Sequence, residues 1–290
     1  MITDVESATP ALCRLQLGRE LRQLRQEAGL TSTQVVRTLL CSPSKLTRLE
    51  TGENSVVEAV DVMALCEIYG ANPEKRALLM GYAAVTKTKR DWWQSPEYRL
   101  AIAPTFKAYL GLEATASALH TYEGEFVPGL LQTEAYVRAI YQREHERLSI
   151  DEIDRLVDVR MTRQEVLRRA SVPLKFAAVV NEAVLRRQVG SPAVMRAQIE
   201  HLAEVAERPS VRVQVVPFKA GVHPGMNGAF TLFRLNEAES IVYLEYLGGA
   251  SVIRKRADVG LYEEAFNDLQ ILAVGPQESL GLIREAIKEH

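Results

Sequence analysis

Cysteine is scarce in this sequence, and its cysteines do not form pairs. The 290 residues include only Cys13, Cys41 and Cys66, and none of them forms a C-x-x-C spacing. An odd number of widely spaced cysteines argues against a disulfide framework and against a zinc site. This usage suits a reducing compartment, and we expect a cytoplasmic protein that holds no metal.

Long apolar runs are also missing. The longest stretch without Lys, Arg, Asp or Glu is 220–233, which contains three glycines and a proline. A helix that spans a bilayer needs about 20 apolar residues, so no transmembrane segment is expected. Residues 1–10 include Asp4 and Glu6 and no apolar core, which argues against a signal peptide.

Common catalytic and nucleotide-binding motifs are absent as well. The sequence has no H-E-x-x-H, no G-x-S-x-G, no G-x-x-x-x-G-K-[ST] and no G-x-G-x-x-G. These patterns supply a metal site, an activated serine, a phosphate cradle or a dinucleotide site. Their absence predicts a protein that is not an enzyme and uses no cofactor.

Charge is balanced over the whole chain but unevenly distributed. The sequence has 35 Lys and Arg against 37 Asp and Glu, a net charge of -2. Residues 12–48 hold seven basic and two acidic residues, so this segment is +5 and the remainder is -7. A basic block at one end of a mildly acidic chain, which is long enough for two domains, favours contact with a polyanion there.

The spacing of apolar residues predicts five helices in the first ninety positions. Leu17, Leu21, Leu24 and Ala28 form one face of a helix over about 12–28, which Gly29 ends. Thr31 and Ser32 can cap a second helix. Three further helices are expected: one that begins at Ser42 and Pro43 and stops at Gly52, one with a stripe at Val57, Val60, Ala64 and Ile68, and one from Pro73 to about Thr86.

Two short helices joined by a tight turn form a helix-turn-helix unit. Residues 17–70, with L-G-R-E-L-R-Q-L-R-Q-E-A-G-L-T at 17–31 and S-P-S-K-L-T-R-L-E-T-G at 42–52, resemble the lambda-repressor-like (XRE-type) DNA-binding domain. The resemblance implies an all-α, five-helix DNA-binding domain over 1–90, whose third helix enters the major groove of double-stranded operator DNA.

The resemblance assigns DNA contacts to the second and third helices. Ser44 and Arg48 take base-reading positions, and an Arg can bond guanine O6 and N7 together, which contributes about 1–3 kcal/mol of discrimination. Pro43 can offer only apolar contact to a thymine methyl, so the operator sequence stays open. The expected DNA-binding residues are Ser32, Gln34, Ser42, Pro43, Ser44, Lys45, Thr47 and Arg48.

Other charged residues near this surface are expected to be structural. In the family, the acid that matches Glu50 pairs with an Arg of the first helix, and Arg25 holds that position. Phosphate would repel the Glu50 carboxylate, so we expect an Arg25–Glu50 pair rather than a DNA contact. Arg14, Arg19 and Arg22 are expected on a solvated helix face.

The helical pattern is interrupted by D-W-W-Q-S-P at 91–96, and we interpret 91–104 as a linker or docking segment in which Trp92 and Trp93 pack the junction. Residues 105–290 are predicted to form an α+β regulatory or dimerisation domain, because late strands are flanked by helices. The predicted strands are 116–122, 175–180, 211–216, 229–234, 241–245 and 251–254. The predicted helices are 133–141, 150–169, 192–207, 257–273 and 278–288.

The second half is also similar to a known group. The segments T-Y-E-G-E-F-V-P-G-L-L-Q-T-E-A-Y (121–136), T-R-Q-E-V-L (162–167), N-E-A-V-L-R-R (181–187) and V-V-P-F-K-A-G-V-H-P-G (215–225) resemble the C-terminal domain of actinobacterial antitoxin-like transcriptional regulators. The similarity spans about 105–285. It implies a small partner protein, encoded nearby, as a candidate binder.

Polar residues within these motifs suggest an effector pocket. Glu123, Gln132 and His223 are its expected members, although Gln132 could simply precede a helix. The glycine-rich stretch 221–228 around His223 is typical of a ligand-approaching loop and also of a hairpin turn, which we favour.

The sequence therefore predicts a sequence-specific transcriptional regulator that acts as a homodimer and whose C-terminal domain senses a ligand or a partner protein. An antitoxin-like protein-binding module with autoregulatory DNA binding is the main alternative. An enzyme fused to a helix-turn-helix is less favoured.

Overall fold

A computed structural model describes residues 9–52, 57–99, 101–144, 148–168, 174–235 and 239–290. The chain divides into two compact units, Met1–Pro96 and Glu97–His290. The first is all-α, and the second combines helices with a mixed six-stranded sheet, so the predicted multidomain fold class is confirmed. None of the described helices is both long and apolar enough to cross a membrane.

The first unit contains the five helices that the spacing predicts. Thr31 caps the second helix, where its hydroxyl accepts a hydrogen bond from the Gln34 N–H, and Gly29 and Gly52 end helices in the left-handed conformation. The helices are α1 (Pro10–Glu27), α2 (Ser32–Leu39), α3 (Pro43–Thr51), α4 (Ala59–Ile68) and α5 (Pro73–Thr88).

The core of this unit lies between α1, α3, α4 and α5. Leu17, Leu21, Leu46 and Leu49 are buried as expected. The predicted stripe of α4 is wrong in phase, because Val60 is 77% exposed. Apolar side chains occur on most sides of α4, so their spacing in the sequence does not show which side is buried. The buried face is formed by Val62, Leu65 and Cys66.

The segment after α5 is fixed to α1 within the first unit. The Asp91 carboxylate accepts hydrogen bonds from the Ala11 N–H at 3.1 Å and from Arg14 Nη2 at 2.8 Å, and its side chain is fully buried. Trp93 is buried, and Trp92 meets it edge-on at 5.6 Å between ring centroids. The expectation of a solvated Arg14 is wrong, because this guanidinium neutralises a buried carboxylate.

The second unit is built on one sheet with strand order β3-β2-β1-β4-β5-β6. β1, β2 and β3 are parallel, whereas β4, β5 and β6 continue the sheet as an antiparallel meander from the other side of β1. All six predicted strands are present. They are β1 (Ala118–Glu123), β2 (Lys175–Asn181), β3 (Val211–Val216), β4 (Phe230–Arg234), β5 (Ser240–Tyr246) and β6 (Gly249–Ile253).

Helices cover both faces of this sheet. Tyr109 of α7 packs edge-on against Phe233 and Tyr243 on one face, and Phe266 of α12 stacks on His120 on the other. The sequence did not predict α7. The helices are α6 (Pro96–Arg99), α7 (Pro104–Thr115), α8 (Glu134–Glu144), α9 (Ile150–Arg163), α10 (Ala183–Arg186), α11 (Pro192–Ala206), α12 (Arg256–Leu272) and α13 (Pro276–Glu289).

Candidate nucleic-acid interface and C-terminal cavity

The helix α3 presents a polar face to solvent. Ser42 caps its first turn by accepting a hydrogen bond from the Lys45 N–H at 3.2 Å, and Pro43 takes the first helical position. Leu46 and Leu49 point into the core, so helical periodicity turns the intervening residues outward. The exposed members are Ser42, Pro43, Ser44, Thr47 and Arg48.

Arg48 has a guanidinium that is available to a ligand. Among the described residues it forms no ion pair and no side-chain hydrogen bond, and it is exposed on α3. Thr47 is partly engaged, because its hydroxyl donates to the Pro43 carbonyl at 3.0 Å. Five donors on an unpaired, planar guanidinium suit two acceptors in one plane, such as a guanine edge or a phosphate.

Lys45 is already paired. Its ammonium lies 2.7 Å from the Asp61 carboxylate of α4, with 40% of the lysine side chain exposed. The pair turns Lys45 toward α4, whereas Ser44 and Arg48 point to solvent. No sequence pattern indicates this contact, because its two residues lie 16 positions apart on different helices.

The second helix contributes a capped N-terminus. Thr31 rather than Ser32 is its cap, and the Gln34 side-chain oxygen accepts from the Thr31 N–H at 2.8 Å, which completes a capping box. Both Ser32 and Gln34 are exposed. Arg37, to which sequence reasoning assigned no role, is exposed on the same helix without an ion pair among the described residues.

Close packing against α1 fixes the position of α3. A Cβ atom on Gly18 would lie 2.6 Å from the Leu49 carbonyl oxygen and 2.8 Å from that of Glu50, so only glycine permits this approach. The predicted pair is confirmed: Arg25 Nε and Nη2 donate to the two Glu50 oxygens at 2.7 and 2.9 Å. These contacts hold the polar face of α3 in one orientation.

In the second unit, a cavity of about 70 Å³ opens on the face of the sheet that α7 covers. We call it the Glu123 cavity. Glu123 is the last residue of β1, and the cavity lies at this carboxyl end. Its other charged and aromatic wall residues are Arg160, Arg163, Glu245, Phe106, Tyr109, Phe230 and Tyr243.

Some of the charged side chains that line this cavity have ion-pair partners, and others have none among the described residues. Arg163 is buried and donates to both oxygens of the buried Glu113 at 3.1 and 2.8 Å. Glu123 forms neither an ion pair nor a side-chain hydrogen bond among the described residues. Burial, and then the negative charge of Glu245, raise the pKa of Glu123 to about 8.

The three residues expected in an effector pocket lie in different places. Glu123 lines the cavity, whereas Gln132 is buried in the connection that follows β1, where it donates to the Val127 carbonyl at 2.7 Å. His223 lies on the opposite face of the sheet, beside Tyr122 and 3.3 Å from the Asn181 amide nitrogen. The glycine-rich stretch 221–228 forms one short 3-10 turn, Pro224–Asn227, and it connects β3 to β4, which are not adjacent, so it is not a hairpin turn.

A larger, apolar groove lies on the face that carries His223. Its volume is about 490 Å³, and it runs between the segment before β4, the end of β5 and α12. Met226, Tyr246 and Leu261 are exposed in or beside it, at 68%, 57% and 64%. Sequence reasoning did not find this groove, because its residues come from three separate segments.

No three His, Cys, Asp or Glu side chains in the described part of the chain are grouped so that they could hold a metal ion.

Comparison with known families agrees with the division into two units. Residues 16–79 match the family described as "Helix-turn-helix domain", and residues 106–285 match the one described as "Domain of unknown function (DUF5753)". The first match includes α2 and α3 completely, and the second covers more than half of the chain. No curated protein and no solved structure matches the chain.

Proposed function

The chain belongs to the family described as domain of unknown function DUF5753 and carries a helix-turn-helix domain, and from this we propose that it is a sequence-specific transcriptional regulator that binds operator DNA as a homodimer. The observation that carries the proposal is the exposed polar face of α3. Arg48 has no ion-pair partner there in the part of the chain that the structure describes, while Gly18 and the Arg25–Glu50 pair fix the helix behind it.

We infer that Ser44 and Arg48 read base edges. Both are exposed and one turn apart, so they lie side by side on α3. Ser32, Gln34 and Ser42 lie at helix N-termini and would contact phosphates, while Pro43 and Thr47 would border the base contacts. Lys45 is assigned to the phosphate backbone only, and its pairing with Asp61 limits that contribution.

A homodimer follows from the small footprint of one recognition helix. One helix contacts only a few base pairs, whereas two helices related by a two-fold axis read half-sites about 34 Å apart. We propose that the second unit supplies the dimer contact and responds to a ligand or a partner protein.

Binding to DNA can be measured by fluorescence anisotropy with a labelled duplex from immediately upstream of the gene for this chain. A duplex of the same length and base composition with scrambled order is the control. The proposal predicts preferential binding to the upstream duplex and a steep loss of affinity with salt, because phosphate contacts release counterions. Equal binding to both duplexes at every salt concentration would contradict sequence-specific regulation.

An antitoxin-like role is the second candidate, and the apolar groove favours it. Exposed Met226, Tyr246 and Leu261 around a groove of about 490 Å³ form the kind of surface that a protein partner covers. The partner would be the small protein encoded nearby. Its addition should change the anisotropy of the DNA complex. An L261D variant replaces a side chain that is 64% exposed, so it should fold but lose that response.

A further inference from the structure

The Glu123 cavity lies where the order of strands reverses. From β1 the chain proceeds to β2 and β3 on one side, and β4, β5 and β6 follow on the other. Open α/β sheets bind ligands in the crevice outside the carboxyl end of a strand at such a position. Glu123 is the residue at that end of β1.

Two carboxylates face each other across the floor of the cavity. Tyr122 pairs with Phe230 and Thr231 with Tyr243, so continuing both registers places Glu123, Ala229 and Glu245 in one row. Neighbouring strands are about 4.8 Å apart, which puts the two glutamates about 10 Å apart at their backbones. Ala229 leaves the space between them open, because its side chain is a single methyl group.

Neither Glu123 nor Glu245 forms an ion pair or a side-chain hydrogen bond within the described ranges. The negative charge of Glu245 raises the pKa of Glu123, and Arg160 and Arg163 oppose this effect without pairing with Glu123. A positive group between them would remove this repulsion and donate hydrogen bonds to both carboxylates.

Arg160 supplies the opposite charge at the same cavity. Its Nη2 donates to the Tyr141 hydroxyl at 3.2 Å, but its Nε is buried without a hydrogen-bond partner, and it forms no ion pair among the described residues. Arg163, three positions further along α9, is paired with Glu113. Arg160 therefore has donors for an incoming acceptor, and a carboxylate matches its planar geometry.

We propose that the Glu123 cavity binds a small zwitterion of the amino-acid class, with its ammonium group between Glu123 and Glu245 and its carboxylate at Arg160. The cavity of about 70 Å³ is open on one side, so the charged head enters and the side chain lies toward the open mouth.

This inference rests on the proposed regulator, since it names the ligand class that its second unit would sense. Binding itself is tested without DNA, so the two ideas fail separately. A protein that binds DNA selectively but no amino acid would overturn the ligand and leave the regulator. A protein that binds an amino acid but no DNA would do the reverse.

The experiment is isothermal titration of the full chain with each proteinogenic L-amino acid in turn. For the tightest binder, the N-acetyl derivative lacks the ammonium charge and the amide derivative lacks the carboxylate. Each derivative should bind at least about tenfold more weakly, since each removes one charge-assisted contact. Binding of no amino acid, or equal affinity for the N-acetyl derivative, would overturn the proposal.

Variants locate the site. Glu123→Gln and Arg160→Met should each weaken binding at least about tenfold. Glu125→Gln is the matched control, because Glu125 is exposed, two residues further on, and paired only with the exposed Arg187. Unchanged affinity in a folded Glu123→Gln protein would place the ligand elsewhere. If Arg160→Met does not fold, the N-acetyl and amide derivatives and the Glu123→Gln variant still test the proposal.

Discussion

Arg25 of α1 holds Glu50 of α3 through two parallel hydrogen bonds, of 2.7 and 2.9 Å, and both side chains are nearly buried. Arg25 also donates to the Leu30 carbonyl at 3.0 Å, so a single guanidinium joins α1, the turn after it and α3. Glu50 thus helps to orient α3, whose polar face lies on the other side of the helix.

Breaking this pair on one side should be costly. In Glu50→Gln the Arg25 charge stays nearly buried without its partner, and we expect the first unit to lose about 3 kcal/mol of unfolding free energy. The double variant Arg25→Met with Glu50→Leu should recover much of that loss, because no uncompensated charge remains. Thermal denaturation of the three proteins checks this, and a double variant less stable than Glu50→Gln would contradict it.

Gly18 should tolerate no side chain. Gly18→Ala places a methyl group within 3 Å of two carbonyl oxygens of α3, so we expect a loss of more than about 2 kcal/mol and weaker DNA binding. Gly260→Ala is the matched control, since Gly260 is also inside a helix but has open space around its Cβ position. That variant should be neutral or stabilised by up to about 1 kcal/mol. Equal effects in circular-dichroism melts would contradict the close approach.

Leu40 is strained at the turn between α2 and α3. It is the one non-glycine residue with positive φ in the described part of the chain, at 52°, and its side chain is 91% exposed. Leu40→Gly should therefore raise the stability of the first unit by up to about 1 kcal/mol. Leu247→Gly removes another fully exposed leucine whose backbone has no such strain, and it should bring no gain. An equal gain in stability in both variants would show that the backbone at Leu40 is not strained.

Stability of the second unit should decrease as pH rises. The pKa of Glu123 is raised from 4.5 to about 8 in the folded protein, so between these values the folded state holds a proton that the unfolded state has lost. Stability therefore falls with pH across this window. Arg160 and Arg163 face the same carboxyl and oppose the shift, while Glu245 adds to it.

The variant Glu123→Gln tests that pH dependence. It should be more stable than the wild type at about pH 9 and differ little at about pH 5, where the wild-type carboxyl is protonated. The melting temperatures of the two proteins are compared at both pH values. If the variant and the wild type differ by the same amount at both, the pKa of Glu123 is not raised in the folded protein.

Most of the fold could be predicted from the sequence, because capping residues and apolar spacing within short segments indicate its helices and strands. Pro43 and Gly52 bracket α3, and alternating apolar residues mark strands such as 211–216. The helix α7 was missed because P-T-F-K-A-Y-L-G-L-E-A-T has apolar residues on every side and a glycine within it. Periodicity cannot define a helix that is covered on several faces.

Contacts between distant segments could not be predicted in the same way. The Lys45–Asp61 and Arg14–Asp91 pairs and the wall of the Glu123 cavity bring together residues that no motif connects. Gln132 and His223 lie in the sequence segments that suggested an effector pocket. His223, however, lies on the opposite face of the sheet from Glu123, and Gln132 lies in the connection after β1. The exposed polar face of α3, in contrast, could be predicted, because its residues share one short helix.

The most direct test of the central claim compares Arg48→Ala with Arg22→Ala on operator DNA. Both remove one exposed arginine from the first unit, so their effect on net charge is the same. In fluorescence anisotropy, Arg48→Ala should lose about 1–3 kcal/mol of discrimination between the upstream duplex and its scrambled counterpart, whereas Arg22→Ala should keep it. Unchanged discrimination in a folded Arg48→Ala protein would contradict the assignment of α3 as the helix that reads DNA sequence.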